Sequence, residues 1–271
     1  MDSPHLPAKK SLGQYFLTNP RVVDTIVTAT AITPESTVLE IGPGTGVLTA
    51  GLLATGARII ALEADARAIT ILTDRFSKEI AEGRLALHHA DVRTVRLTDF
   101  VSSTPYTIAA NIPYYLTGQL LRMALTSTPQ PERIVFLIQK EVAERIARST
   151  KESLLSLSVK AYGTPRHVAT VSRGNFSPQP NVDSAVLAID NISRRRFTSL
   201  DESFFFTVLK AGFSARRKQL LGNLTGLSSR NELTAHFNAL DIPHDVRGED
   251  LSIDTWCALA TLLESTPATP I

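Results

Sequence analysis

Asn111-Ile112-Pro113-Tyr114 places an amide, a constrained backbone and an aromatic ring within four residues. On composition alone such an Asn-Pro segment reads as a turn, so its position decides what else it can do. It directly follows the β-rich run Tyr106 to Ala110, so its side chains should emerge at the carboxyl end of a strand, where open α/β sheets bind ligands. Pro113 removes one donor and fixes φ, leaving the Asn111 amide carbonyl and the Ile112 backbone carbonyl to accept from an exocyclic amine. The amino nitrogen of a nucleobase is a poor nucleophile because its lone pair is delocalised into the ring. Two acceptors on its hydrogens favour the pyramidal geometry that aims this lone pair at an electrophilic methyl group, an interaction specific to the transition state. Tyr114 adds a ring for base stacking.

A second set of residues has the pattern of a nucleoside pocket. Gly42, Gly44 and Gly46 lie between the strand-like run Thr37 to Ile41 and the helical spacing of Val47 to Ala54, where glycine lets the backbone turn tightly and approach a ligand. The spacing is GxGxG rather than the GxGxxG dinucleotide fingerprint, so the loop alone says little. Glu63 falls 21 residues past Gly42, at the end of the next strand, where a carboxylate can accept from both ribose hydroxyls. Asp91 ends the third strand and is placed to accept from an adenine amine while Val92 flanks the ring; the alternative for Asp91 is a loop cap.

These groups converge only if the strands that carry them lie side by side. Runs at 37–41, 58–63, 85–89, 106–110 and 133–138 read as strands, and 20–31, 47–54, 66–80, 117–126 and 141–148 as helices. Short β-rich runs at 167–171 and 185–190 can close the sheet as a hairpin. This alternation implies βαβ units in a parallel, doubly wound α/β sheet. From Ser203 onward the pattern is helical only, which sets the expected domains at 1–195 and 196–271.

Composition agrees with two globular domains: 271 residues, 43% hydrophobic and 20% charged. No apolar run approaches the roughly 18 residues of a membrane span. The start lacks an apolar signal region, and the lone Cys257 cannot form an internal disulfide, so a cytoplasmic, reducing setting is expected. The scattered histidines have no metal-ligand spacing, and no metal is expected. The net charge of +2 conceals an asymmetry: residues 194–230 carry eight basic and two acidic side chains, and 231–271 carry one and seven. The basic stretch, with Arg194-Arg195-Arg196 and Arg216-Arg217-Lys218, reads either as a polyanion contact or as cations paired with the acidic tail.

Six motifs occur in order: Gln14-Tyr15-Phe16-Leu17, Glu40-Ile41-Gly42-Pro43-Gly44-Thr45-Gly46, Asn111-Ile112-Pro113-Tyr114, Gln139-Lys140-Glu141-Val142-Ala143, Asn175-Phe176-Ser177-Pro178 followed by Val182-Asp183-Ser184-Ala185-Val186, and Arg216-Arg217-Lys218-Gln219-Leu220. Together, over about residues 9–225, they resemble the ribosomal RNA adenine dimethyltransferases, and most nearly the small-subunit type. The resemblance implies a class I S-adenosylmethionine-dependent methyltransferase domain, Rossmann-like, with a small all-helical C-terminal domain. It implies S-adenosylmethionine as cofactor. Gln14, Tyr15 and Leu17 would then cover the cofactor, Gly42, Gly44 and Gly46 would approach its methionine part, and Glu63 with Ala64 would hold the ribose. Asp91 with Val92 would hold the adenine, and Asn111 would reach both the cofactor and the target amine. Phe176 would face Tyr114 across the target base.

The implied product carries two methyl groups on the amine of each of two adjacent adenines, in a hairpin loop near the 3′ end of small-subunit RNA. Adenines in a loop are less costly to extrude than those in a duplex. Lys9, Lys10, Arg216, Arg217 and Lys218 would track phosphates of small-subunit RNA in the assembling subunit, with the enzyme a monomer. Two features depart from the family pattern: Tyr15 stands where Asn or His is frequent, and the loop at 149–155 is short. Competing readings are a large-subunit methyltransferase of the antibiotic-resistance type, a non-catalytic assembly factor and a nicotinamide oxidoreductase. The last would need GxGxxG and a proton donor.

Overall fold

The computed structural model describes residues 6–9, 13–101, 105–215 and 217–265. The chain divides into two compact units, one of residues 1–144 with 164–192 and one of residues 145–163 with 193–271. Packing thus groups 145–163 with the C-terminal helices, which contiguous boundaries at 195 and 196 do not capture.

The first unit opens with β1 (Phe16–Leu17) and α1 (Pro20–Thr30), followed by β2 (Thr37–Ile41), α2 (Val47–Leu53), β3 (Arg58–Glu63), α3 (Ala66–Arg75), α4 (Ser77–Ala81) and β4 (Leu85–His89). It continues with β5 (Thr107–Asn111), α5 (Thr117–Thr126), β6 (Arg133–Gln139) and α6 (Lys140–Ala147), the last of which runs across the division into the second unit. The second unit contributes α7 (Leu154–Lys160), after which the first resumes with β7 (Thr164–Val171), β8 (Phe176–Ser177) and β9 (Ser184–Asp190). The helix expected over 66–80 is interrupted at Phe76, whose φ of −112° and ψ of 27° leave the helical region.

Seven strands form one sheet in the order β4-β3-β2-β5-β6-β9-β7. β2 through β6 run parallel, while β9 runs antiparallel to both β6 and β7, so 167–171 and 185–190 do close the sheet. Helices cover a parallel sheet on both faces, so its strands are apolar throughout rather than alternating. Ile134 to Ile138 are accordingly all fully buried. The strand order reverses between β2 and β5, and a crevice at such a switch point is where doubly wound sheets bind ligands.

A two-residue pairing lies outside the main sheet. β1 joins β8 antiparallel, with Phe16 opposite Ser177 and Leu17 opposite Phe176. The Thr18 N–H donates to the Asn175 carbonyl at 2.9 Å, so the segment before α1 is bound to the chain some 160 residues later.

The second unit adds α8 (Glu202–Gly212), α9 (Leu220–Leu224), α10 (Arg230–Ala239) and α11 (Ile253–Ser265). Buried Tyr162 and Phe205 join half-buried Phe197 and Phe206 in an aromatic cluster with ring centroids 5.2 to 6.2 Å apart. Trp256 is fully buried and donates from Nε1 to the Gly248 carbonyl at 3.2 Å. A Cβ on Gly212 would lie 2.3 Å from Trp256 Cη2 and 2.8 Å from Leu220 Cδ1, which neither side chain can accommodate in place. Overpacking of this kind costs about 1–3 kcal/mol. Gly212→Ala is therefore expected to lower the unfolding free energy measured in urea by that amount, whereas Gly222→Ala, where a Cβ meets open space in α9, should be neutral or stabilising by up to about 1 kcal/mol.

Candidate active site

One cavity opens at the carboxyl ends of β2, β3, β4 and β5, lined in part by the loops that follow them. Gly42, Gly44 and Gly46 have φ values of 70°, 59° and 79°, all in the left-handed region that glycine alone enters freely. A Cβ at Gly42 would meet nothing within 4 Å, so the bare backbone there borders free space. Gly42 and Gly44 line the cavity, but Gly46 does not. Gly46 is the N-cap of α2, where a Cβ would sit 2.6 Å from Phe76 Cε2.

Glu63 fixes the glycine loop in place. It is 5% exposed, and both of its oxygens are bound by backbone donors: Gly44 N–H reaches Oε2 at 2.9 Å and Asp65 N–H reaches Oε1 at 2.8 Å. Burial nevertheless outweighs these bonds and raises the Glu63 pKa from its ordinary value. Asp65 caps α3 and binds Arg67 through both oxygens, and its pKa is held well below normal by that guanidinium. Asp65 also receives Gln14 Nε2 at 3.3 Å and lies 3.6 Å from Lys9 Nζ, while Gln14 Oε1 accepts from the Lys9 N–H at 2.9 Å. Gln14 therefore ties the N-terminal segment to the start of α3.

Asn111 ends β5. Its Nδ2 donates to the Tyr15 carbonyl at 2.9 Å, a bond between residues 96 apart in sequence. A carboxamide carries its donors and its acceptor on opposite atoms. With the donor end engaged, Oδ1 remains the available acceptor at the cavity. Tyr114 follows in a 3₁₀ turn, Tyr114–Leu116. Its hydroxyl shares a 2.8 Å hydrogen bond with the fully buried Ser184, and its ring stacks on Tyr15 at 5.5 Å and 27°. Burial raises the phenol pKa, so the hydroxyl keeps its proton.

Asp91 is clasped by Arg93, whose Nε lies 3.0 Å from both carboxylate oxygens and whose second guanidinium nitrogen lies 2.6 Å from Oδ2. This partner lowers the Asp91 pKa and keeps the group ionised. Of the residues singled out in the sequence, Gln14, Tyr15, Leu17, Glu63, Ala64, Asp91, Val92, Asn111, Ile112, Pro113 and Tyr114 also line this cavity. Phe176 does not. It is 5% exposed within the hydrophobic core, because its pairing with Leu17 across β1 and β8 turns it there.

The model of the ribosomal RNA adenine dimethylase family matches residues 6–265. The chain belongs to this family. The ribosomal RNA small subunit methyltransferase A of Dehalococcoides mccartyi is 36% identical over 271 residues, covering 98% of this chain and 92% of that protein. A solved dimethyladenosine transferase from Plasmodium falciparum aligns with a TM-score of 0.75 at 26% identity, over 90% of this chain and 95% of that one. The 23S rRNA methyltransferase ErmE aligns with a TM-score of 0.73 at 20% identity, over 92% and 100% of the respective chains, a likeness of fold.

The dimethylase is an S-adenosylmethionine-dependent ribosomal RNA methyltransferase with a class I methyltransferase fold. Its cavity suits that cofactor: bare backbone at Gly42 beside open space, a buried carboxylate at Glu63, and an ionised one at Asp91 next to the apolar Val92. Several lining residues gave no signal in the sequence. Arg93 is one, and its position two residues past Asp91, where a side chain can bind back onto an Asp turn, is the feature that could have revealed it. Ser184 and Asp65 act through Tyr114 and Gln14, and only the fold brings them there.

The basic residues of the dimethylase differ in their surroundings. Arg194 binds Glu202 at 3.0 Å and Arg196 binds Asp254, so these two cations are matched by acids of the helical unit. Arg217 and Lys218 are exposed and make no ion pair among the described residues. Lys9 is committed to Asp65. Lys10 and Arg216 lie outside the described residues. Among those residues no helix is long and apolar enough to cross a membrane.

Beneath the glycine loop, Glu40 of β2 is 1% exposed between Ala61 and Ala109 of the neighbouring strands. Neither of its oxygens completes a hydrogen bond, nor does the adjacent Thr49 hydroxyl. Burial pushes its pKa up to about 8, with Thr49 tempering the rise and Glu63 adding to it. The folded chain thus retains a proton here that the unfolded chain loses above its ordinary pKa of 4.5, so stability falls as pH rises from about 4.5 to about 8. Glu40→Gln removes this dependence. Melting curves at pH 5.5 and 8.5 should show the variant gaining several degrees on the wild type at the higher pH; an equal offset at both would show that Glu40 ionises without cost.

Proposed function

We propose that this dimethylase places two methyl groups on the exocyclic amine of each of two adjacent adenines in a hairpin loop near the 3′ end of small-subunit RNA. It would act in the cytoplasm, on the assembling small subunit. The observation that carries the reading is the bond from Asn111 Nδ2 to the Tyr15 carbonyl, which commits the amide to presenting Oδ1 as an acceptor.

S-adenosylmethionine supplies an electrophilic methyl group on a sulfonium. Glu63 accepts from the ribose hydroxyls, Asp91 from the adenine amine of the cofactor, and Gly42 gives the backbone approach to the methionine part. Tyr15, Leu17 and Gln14 cover the site. Asn111 Oδ1 and the Ile112 carbonyl accept from the target amine and turn its lone pair out of conjugation. So aimed, the nitrogen would be placed to take the methyl group that bound S-adenosylmethionine would supply from its sulfur, and the surplus proton on nitrogen would pass to water. Pro113 holds the turn rigid. Tyr114 backs the target purine, with its hydroxyl fixed by Ser184 and its far face supported by Tyr15. The second methylation needs the monomethyl amine rotated so that its remaining N–H meets the same acceptors.

Incubating the protein with labelled S-adenosylmethionine and undermethylated small or large ribosomal subunits, then mapping the label, tests the assignment. Label on two neighbouring adenines of the small-subunit RNA is expected, and label confined to the large subunit would overturn it. Asn111→Ala should lower kcat about 10²- to 10³-fold, the scale of losing one oriented transition-state hydrogen-bonding group. Its cofactor dissociation constant should change far less, and parallel losses in both would assign Asn111 to cofactor binding alone. Replacing Arg217 and Lys218 with Ala should weaken RNA binding and flatten the slope of log affinity against log salt by about 1.4 to 1.8. An unchanged slope would remove both from the RNA surface.

A further inference from the structure

Tyr114 and Tyr115 are consecutive residues of one 3₁₀ turn, where successive side chains point about 120° apart. Tyr114 turns inward to Ser184 and Tyr15. Tyr115 turns outward at the rim of the same cavity and is 57% exposed, the one exposed aromatic residue among those described. Its ring is nonetheless seated. Gly13, at φ +61°, packs against one edge, and a Cβ there would come within 3.0 Å of Tyr115 Cε1 and 3.3 Å of Pro113 Cβ. A glycine at this point leaves the ring room to lie against the N-terminal segment. That segment is held through Gln14 to Asp65 and through Tyr15 to Asn111, so the ring rests on a fixed support.

An aromatic ring held in position and open to solvent at the mouth of a base-binding cavity suits one kind of occupant. Every nucleobase offers a π-face, and stacking on an aromatic side chain binds a single-stranded base without regard to its identity. The cofactor's polar groups are matched deeper in the site by Glu63 and Asp91, so Tyr115 is not needed for them. We infer that Tyr115 is a stacking platform for the nucleotide next to the target adenine, holding that neighbour at the rim while the target is extruded against Tyr114. The inference rests on the RNA-methylating role proposed above. It makes Tyr115 a positioning residue: two adjacent bases would occupy two adjacent tyrosines, one inside and one outside.

Binding and turnover are measured with hairpin RNAs carrying the two adjacent adenines, intact or with an abasic nucleotide on the 5′ or 3′ side of the target. With intact RNA, Tyr115→Ala should raise KM and the RNA dissociation constant about ten-fold, while the cofactor dissociation constant stays within two-fold. Tyr115→Trp should bind as the wild type does, and Tyr115→Leu should behave like the alanine variant, which separates stacking from bulk. One of the two abasic RNAs should bind the wild type about ten-fold more weakly and bind Tyr115→Ala no worse than intact RNA does. Equal penalties from both abasic RNAs in wild type and variant would overturn the platform, as would a leucine variant that retains full affinity. Binding that depends on Tyr115 in a wild-type protein that fails to methylate would instead defeat the catalytic reading and leave the platform standing.

Discussion

The hydrogen bond from the Asn111 amide to the Tyr15 carbonyl is the interaction on which the site's geometry turns. An amide free to flip would offer either donors or an acceptor to an incoming amine, and only the acceptor helps to localise a nitrogen lone pair. Fixing the choice requires Tyr15 to be held. Tyr15 stacks on Tyr114, Gln14 bonds to Asp65 before it, and β1 pairs with β8 after it. The N-terminal segment is therefore a structural part of the cavity wall that Asn111 shares.

Two buried carboxylates show how the same side chain is put to different uses by its surroundings. Glu63 receives a backbone donor on each oxygen, and those bonds hold the glycine loop in shape. With both oxygens engaged by backbone donors, the loop is organised before any ligand arrives. Glu40 lies one strand away with no completed bond, and burial keeps it protonated near neutral pH. A protonated Glu40 also avoids charge repulsion with Glu63, which contributes to the rise in its pKa.

Charge in the helical unit is sorted in a comparable way. Arg194 is taken up by Glu202, Arg196 by Asp254, and Lys151 by Glu249 and Asp250, so part of the acidic C-terminal stretch is used within the unit itself. Arg217 and Lys218 remain exposed beyond that network. Ion pairing within the unit thus accounts for Arg194 and Arg196 and leaves Arg217 and Lys218 open to solvent.

Alternating apolar runs, the three glycines and the strand-end positions of Glu63, Asp91 and Asn111 were determined by the sequence, because strand ends and tight turns follow from local patterning. The parallel, doubly wound character of the sheet followed as well, since strands alternating with helices form βαβ units, while the order of its strands came from the fold. The two-residue β1–β8 pairing could not be read in advance: it is too short to carry a periodic signal and joins segments some 160 residues apart. Phe176, part of that pairing, lies in the core, the commoner place for a Phe in a Pro-rich loop, whereas the family resemblance had implied a ring facing the target base. Asp65, Arg93, Ser184 and Tyr115 likewise took their places through contacts between distant segments or through side-chain direction on a turn. Residue type fixed which chemistry was possible; only the packed chain decided which donors were already engaged, which rings were buried, and which atoms were left to meet a substrate.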